Sequence, residues 1–420
     1  MKSFIALIDA NNFYVSCERV FNASLSKRPV IVLSNNDGCV ISRSDEAKKI
    51  GITMGVPFFQ IEGIISQHNV AVFSSNYALY GDMSRRVMQA LSEFSPEVEI
   101  YSIDEAFMNL SGIRCESPTE LGRKIQKTVY QWTGIPVSVG VAETKTLAKI
   151  ANALAKRSEK AAGVLDLTDS PYLPHALAKT PVGEVWGIGR RYKKLLHDNG
   201  VRTALELKNL DDQWVRGNMT VVGLRLVHEL RGIPCLALET QPPAKKSITV
   251  SRSFGQPVDS FAEIKGALNL YITRAGERLR KQGLAAGVVT VFLHTNRFSK
   301  EPQHFGSTTT ELAIPTDSTP ELLYYTLRGA EEAFEEGFKY KKAGVLLNEL
   351  VPAGSPSRSF WNPEERERVR ELLRIIDKLN HKFGRDTIHF GRLATEGRWM
   401  TKAERRSPRY TTRWEEVLVI

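Results

Sequence analysis

The chain has 420 residues, 42% hydrophobic and 25% charged, the composition of a globular protein with room for roughly two to four domains. No run approaches 18 apolar residues, which excludes a membrane span, and the four cysteines (Cys17, Cys39, Cys115, Cys235) are too scattered for a zinc site or a disulfide framework. The net charge of +10 divides as +1 over residues 1–166, +4 over 167–355 and +5 over 356–420, so the basic excess lies in the second half and suits a polyanionic partner, the bland alternative being a merely soluble basic surface.

The opening "MKSFIALIDANNFY" carries a short apolar run that Asp9 interrupts, with no cleavage site after it. It reads as a buried strand over Phe4–Ile8 ending at Asp9, followed soon by a helix, and not as a signal peptide. "RPVIVLSNNDGCVISRS" (28–44) predicts a hairpin, because Asn36-Asp37-Gly38 tolerates positive φ between two β-branched runs. "VEIYSIDEAFMNL" (98–110) predicts a second, with Asp104 and Glu105 at or near its turn. Neighbouring side chains of a strand point to opposite faces, so both acids serve one site only if the chain turns or bulges between them. Two readings stand at this point: an ordinary hairpin tip reaching water, or two acids holding a cation.

"IPVSVGVA" (135–142) predicts a strand and "TKTLAKIANALAK" (144–156) a helix, with Leu147, Ile150, Ala151 and Leu154 as its apolar stripe. Lys145, Lys149 and Lys156 fall within roughly a 40° arc on the other side, ordinarily a solvated face. Residues 168–240 read as mostly helical around "VWGIGRRYKKLLHDNGV" (185–201), and "TQPPAKKS" (240–247) as a linker. Residues 248–350 then run strand, helix, strand, strand, helix, strand, a ferredoxin-like split unit. "PAGSPSRS" (352–359) sets off a basic tail with one charged helix over 363–380.

Asp9 ends one strand, and Asp104 and Glu105 lie on a hairpin able to pair beside it. Three carboxylates near one point repel one another unless they hold a divalent cation, and hard oxygen ligands suit Mg²⁺. Two such ions about 3.5–4 Å apart activate a hydroxyl and stabilise a pyrophosphate leaving group.

The segments "IDANNFYVSCE" (8–18), "LSNNDGCVISRSDEAKKIG" (33–51), "FSSNYALYGDMSRRV" (73–87), "EIYSIDEAF" (99–107), "ETKTLAKIANALAK" (143–156), "VWGIGRR" (185–191), "SRSFG" (251–255) and "SPRYTTR" (407–413) together carry a resemblance that covers essentially the whole chain. The sequence resembles the Y-family (translesion) DNA polymerases and, within them, the UmuC family, the catalytic subunit of bacterial DNA polymerase V. The resemblance implies an α+β multidomain right hand. Its parts are a ferredoxin-like palm (1–12 and 81–167), small fingers (13–80), a helical thumb with a helix–hairpin–helix (168–240), a βαββαβ little finger (247–350) and a basic C-terminal tail (351–420). It implies error-prone, template-directed translesion synthesis in the SOS response to DNA damage, without proofreading.

By the same resemblance Asp9, Asp104 and Glu105 are the catalytic metal ligands, assisted by the Ala10 carbonyl, for two Mg²⁺ ions with Mn²⁺ as a substitute. Tyr14 matches the steric gate that excludes a ribose 2′-hydroxyl, with Phe13 beside it, and Ser42, Lys48 and Lys156 match positions that touch the incoming triphosphate. The chain departs from the family's usual finger residues at Asp45 and Lys48, where Tyr and Arg are expected. Lysine supplies a point charge in place of a bidentate fork. Gly187, Gly189, Arg190 and Arg191 match a helix–hairpin–helix that grips a DNA phosphate through backbone amides. In "SITVSRSF", Ile248 and Val250 share one face, and Ser247, Thr249, Ser251 and Ser253 the other, ready for phosphates.

Expected partners are primed or damaged DNA, dNTPs, a UmuD′-like homodimer and a RecA filament, in the bacterial cytoplasm and on the nucleoid when active, with no membrane. The glutamine-led peptide that docks relatives on the sliding clamp is missing from "PAGSPSRSFWNPEE", where Phe360 and Trp361 remain as candidate anchors. A nucleotidyl cyclase would need neither the helix–hairpin–helix nor the basic βαββαβ unit. The non-enzymatic rival is a catalytically silent DNA-binding scaffold with a polymerase fold, against which all three acids are present.

Overall fold

The structure, a computed structural model, describes residues 4–113, 117–241, 243–354, 363–384, 386–391 and 397–418. Its strands are β1 (Ile5–Ala10), β2 (Val30–Leu33), β3 (Val40–Arg43), β4 (Ala71–Ser74), β5 (Val98–Ile100), β6 (Glu105–Asn109), β7 (Val137–Ala142), β8 (Val164–Asp166), β9 (Ile248–Val258), β10 (Leu284–Thr295), β11 (Phe305–Thr316) and β12 (Tyr340–Pro352). The chain forms two compact units. One comprises Met1–Ser34, Gly38–Pro242 and Arg405–Ile420, the other Asn35–Asp37 and Pro243–Glu404. No described helix is long and apolar enough to cross a membrane.

In the first unit, the sheet β5-β6-β1-β7-β8 places the opening strand at its centre. β1 runs antiparallel to both neighbours, pairing Asp9 with Glu105 on one side and with Ser138 on the other. Strand alternation then sorts the side chains. Ala6, Ile8 and Ala10 pack with Ala106, Met108 and the helices Tyr77–Ser92 and Pro118–Thr133. Ile5 and Leu7 pack with Phe107 on the opposite face, under the helix Lys145–Arg157 and the apolar sides of the helices Leu173–Lys179 and Asp212–Leu230. Asp9 and Glu105 continue this second series, so period two assigns both acids to the face that the lysine-bearing helix covers.

That helix lies close because β7 has a glycine beneath it: a Cβ on Gly140 would stand 2.2 Å from the Asn152 amide nitrogen and 2.4 Å from the Ala148 carbonyl oxygen. The buried Asn152 side-chain amide fixes the register, its Nδ2 donating to the carbonyls of Leu7 (3.1 Å) and Ser138 (2.8 Å). Thr144 caps the helix, its hydroxyl accepting from the Leu147 N–H. A smaller sheet, β3-β2-β4, pairs β2 antiparallel to β3 as the 28–44 hairpin requires. Positive φ falls on Asn36 and Asp37, while Gly38 keeps φ −80.

The second unit is built on an antiparallel sheet ordered β11-β10-β12-β9, with helices Phe261–Lys281 and Thr319–Ala333 packed on it in the order β-α-β-β-α-β. Along β9, Ile248, Val250 and Phe254 are buried, and Thr249 and Ser253 are exposed, as the alternation predicts. The charged helix Pro363–Phe383 is tied to this unit by the Arg280–Asp377 ion pair at 2.7 Å.

Candidate active site

The two adjacent acids of "SIDEAF" are separated by a bend. β5 ends at Ile100 and β6 starts at Glu105, leaving Tyr101–Asp104 as the connection. The Ser102 hydroxyl organises it, accepting from the backbone N–H groups of Asp104 (3.2 Å) and Glu105 (3.0 Å) and donating to Asp104 Oδ1 (2.6 Å). Asp104 therefore stands outside the strand alternation that governs Glu105. Its carbonyl accepts from the Ala10 N–H at 2.8 Å, joining the bend to the end of β1.

Burial pushes the Asp9 carboxyl up to about 6, against the pull of Lys156 and with the negative charges of Glu105 and Asp104 adding to the rise. The three acids thus share one electrostatic neighbourhood. Among the described residues, however, no three metal-ligating side chains converge into a closed ligand set. Two ammonium groups from the covering helix hold the acids instead: Lys156 Nζ lies 2.6 Å from Asp9 Oδ1, and Lys149 Nζ lies 2.9 and 3.0 Å from the two oxygens of Glu105. Lys149 is also boxed by aromatic faces, 4.6 Å from the Tyr101 ring and 5.5 Å from Trp186, and the Trp186 indole donates to the Tyr101 hydroxyl at 3.1 Å.

The solvated lysine face expected of this helix is therefore corrected. Lys145 is 4% exposed, paired with the buried Glu99 carboxylate and donating to the Ala237 carbonyl at 2.7 Å. Carboxylates on three strands, Glu99, Glu105 and Asp9, pair with Lys145, Lys149 and Lys156; the first two lysines are drawn inward, while Lys156 stays exposed. The periodicity placed them on one arc but carried no trace of those partners.

The other sequence-derived candidates fall into place unevenly. Asn12 adopts a left-handed conformation (φ 47) that turns the chain from β1 into the helix Phe13–Val20. Tyr14, on the first turn, is half-buried and stacks on Tyr80 with centroids 4.4 Å apart and planes at 15°. Phe13, at 3% exposure, belongs to the core, so its ring supports Tyr14 and does not face solvent. Ser42 is also buried, its hydroxyl lying 3.4 Å from both the Val15 N–H nitrogen and the Asn12 carbonyl. In this arrangement it braces the turn at Asn12.

Lys48 is the more open group, 2.7 Å from Asp45, whose carboxyl the Lys48 hydrogen bond holds below the usual range. Lys48, Asn12, Asp45, Gln126, Lys156 and Arg157 line a cleft of about 410 Å³. Lys156 and Arg157 also line the cleft that contains Asp9 and Glu105. Lys156 therefore stands where the two clefts meet. Arg157, paired with Glu184 at 2.8 Å, and Lys149 were not among the candidate site residues; Lys149 was signalled by the lysine stripe, Arg157 by nothing in the pattern.

Gly187 takes φ 91, and Gly189 caps the helix Arg190–Asp198 with no side chain over its first turn. Arg190, Lys193, Lys194, His197 and Arg202 surround a shallow cleft beside it, with Asp198 the acid among them. Arg190 and Arg191 are exposed.

Residues 8–153 match the impB/mucB/samB family, residues 245–360 the C-terminal domain of that family, and residues 370–420 a domain of unknown function (DUF4113). Protein UmuC of Salmonella typhimurium is 42% identical over 98% of this chain and 99% of its own, and protein SamB of Salmonella typhimurium is 42% identical over 98% of both. A DNA polymerase IV of Caulobacter vibrioides is 28% identical over 94% of both chains. Among solved structures, a Y-family DNA polymerase chimera, Dbh-Dpo4(243-245)-Dbh, superposes with a TM-score of 0.69 at 20% identity, covering 83% of this chain and 99% of its own. Fold and relatives define the class: a Y-family, translesion-type DNA polymerase. Within that class the chain belongs to the impB/mucB/samB family, the family of UmuC.

Proposed function

We propose that the face of the central sheet carrying Asp9 and Glu105 performs template-directed, error-prone nucleotidyl transfer from a dNTP to a primer 3′-hydroxyl. The observation that carries this reading is the direct pairing of Asp9 with Glu105 on adjacent strands, with the charge of Asp104 also acting on Asp9. Y-family membership implies divalent metal use. The residues fit: the donors are oxygen only, one is desolvated, and their mutual repulsion is relieved here by two lysine ammoniums for which a divalent cation is the natural competitor. Asp9, Asp104 and Glu105, with the Ala10 carbonyl, would hold two Mg²⁺ ions, or Mn²⁺ in their place. Such ions supply a lowered pKa at the primer hydroxyl and charge neutralisation at the departing pyrophosphate.

The chain's own groups do the remaining work. Lys156, Arg157 and Lys48 neutralise the triphosphate along the shared cleft, and Tyr14 closes the floor under the sugar. Ser42 acts through the turn it braces. The glycine-capped helix at Arg190 holds a DNA phosphate through its open amides, with Arg190 and Arg191 contributing charge. The domain boundaries at 12, 80, 167, 240 and 350 follow the same right-hand reading. Damaged, primed DNA is the substrate, in a cytoplasmic SOS setting. A UmuD′-like dimer and a RecA filament are the partners this family reading suggests. Phe360 and Trp361, the candidate clamp anchors, lie outside the described residues.

Mn²⁺ titration monitored by electron paramagnetic resonance tests the site without turnover: Asp104→Ala should weaken binding at least about tenfold, a loss of roughly 1.4 kcal/mol. Equal affinity in wild type and variant would leave the silent scaffold as the better reading. DNA affinity should fall steeply with salt, because phosphate contacts release counterions, and Arg190→Ala plus Arg191→Ala should reduce the slope of log K against log salt by about 1.8. An unaltered slope would remove these arginines from the interface.

A further inference from the structure

The stretch of chain beyond Glu404 belongs to the first unit and packs behind Tyr80, the ring on which Tyr14 stacks. Arg405 pairs with Ser74 in both directions: its N–H donates to the Ser74 hydroxyl at 2.9 Å, and its carbonyl accepts from the Ser74 N–H at 3.0 Å. Two residues on, the Asn76 side-chain amide donates to the Ser407 carbonyl (3.0 Å), the Ser407 hydroxyl oxygen (3.0 Å) and the Pro408 carbonyl (3.1 Å). The same Asn76 side chain caps the helix Tyr77–Ser92 by accepting from the Leu79 N–H. Tyr410 then stacks on Phe21, centroids 4.7 Å apart and planes at 15°.

Between these anchors lies a buried carboxylate. Glu18 is 2% exposed, and one of its oxygens accepts both from the Tyr80 hydroxyl (2.6 Å) and from the Ser407 hydroxyl (3.0 Å). Tyr80 is fully buried and is the ring on which Tyr14 stacks. A continuous series of contacts thus runs from the tail to the gate: Ser407 to Glu18, Glu18 to Tyr80, Tyr80 to Tyr14. Burial raises the Glu18 carboxyl, and the two hydroxyl donors act against that rise. A buried carboxylate is tolerated only with such donors, so removing the Ser407 hydroxyl leaves an acceptor underserved in the layer beneath the gate.

We infer that residues 405–410, within the stretch matching a domain of unknown function, position Tyr14 through Glu18 and Tyr80 and so set the polymerase's discrimination between deoxyribose and ribose. Ser407 is a positioning residue; it touches neither nucleotide nor metal ligand. The role rests on the assignment of Tyr14 as the sugar gate. It gives the "SPRY" stretch a task inside the nucleotide site, hundreds of residues away along the chain.

The test is single-nucleotide incorporation by the full chain, measured as kcat/KM for a dNTP and for the matching rNTP. Ser407→Ala is expected to lower the dNTP/rNTP ratio about 3- to 10-fold, the effect of one buried hydrogen bond, mainly by raising rNTP use. Tyr80→Phe, which keeps the stacked ring but loses the bond to Glu18, should do the same, and the double variant should be no worse than the weaker single. In a Tyr14→Ala background, Ser407→Ala should change the ratio no further. If Ser407→Ala does not fold, Tyr410→Leu loosens the same stretch at its aromatic anchor and is expected to lower the ratio likewise. A gate released by Tyr14→Ala but indifferent to the tail variants and to Tyr80→Phe overturns the inference alone. A ratio unmoved by Tyr14→Ala overturns the gate assignment and the inference with it.

Discussion

Tyr14→Ala should turn the enzyme into one that accepts ribonucleotides. Tyr14 lies two residues after the left-handed Asn12 and is fixed from behind by Tyr80 at 4.4 Å, with Tyr77 edge-on at 6.3 Å and Phe13 buried beside it. A ring held on several sides cannot swing away from an added hydroxyl, so a 2′-oxygen meets a rigid wall. Overpacking of that kind costs about 1–3 kcal/mol, so the dNTP/rNTP ratio of kcat/KM should fall about 10- to 100-fold on truncation. The gain should come from rNTP use, because the smaller side chain removes a clash that a deoxyribose never makes. A ratio within twofold of wild type would remove Tyr14 from the sugar position.

The second large effect is on stability. Lys145 and Glu99 form a buried pair, at 4% and 7% exposure, in which Glu99 Oε2 also accepts from the Glu239 N–H at 2.8 Å and Lys145 also donates to the Ala237 carbonyl. The pair fastens residues 237–239 to the edge strand β5. Lys145→Met strands a carboxylate in the interior, which costs about 3–5 kcal/mol. Replacing both partners, Lys145→Met with Glu99→Met, should recover much of that loss, since no uncompensated charge remains. Urea unfolding of wild type and these two variants decides it. A single variant as stable as wild type would show that Glu99 finds water or another donor.

Much of the fold was legible because local rules sufficed. The chain order strand, helix, strand, strand, helix, strand over 248–350 and the alternation in "SITVSRSF" were legible, and "NNDG" marks the 28–44 turn, although positive φ settles on Asn36 and Asp37 and spares the glycine. The acids of the site were legible as residue types at a strand end and a hairpin. Their register was not: Asp9 opposite Glu105 follows from pairing two strands about a hundred residues apart, which no local period encodes. The bend that frees Asp104 depends on a single serine hydroxyl, and the fates of Lys145, Lys149 and Lys156 depend on three carboxylates distant in sequence. The tail shows the same limit in its strongest form. "SPRYTTR" stands out as a motif, yet its partners Glu18 and Asn76 lie 389 and 331 residues away.

The central claim is that Asp9, Asp104 and Glu105 make this sheet a polymerase active site, and primer extension tests it most directly. Purified full-length protein, Mg²⁺ and a primed template, with and without a UmuD′-like dimer and an activated recombinase filament, should give extension by wild type. Asp104→Ala and Glu105→Ala should abolish it while DNA binding persists. Extension that survives loss of either acid, or a wild type that binds primed DNA but stays inactive under every one of these conditions, would contradict the assignment.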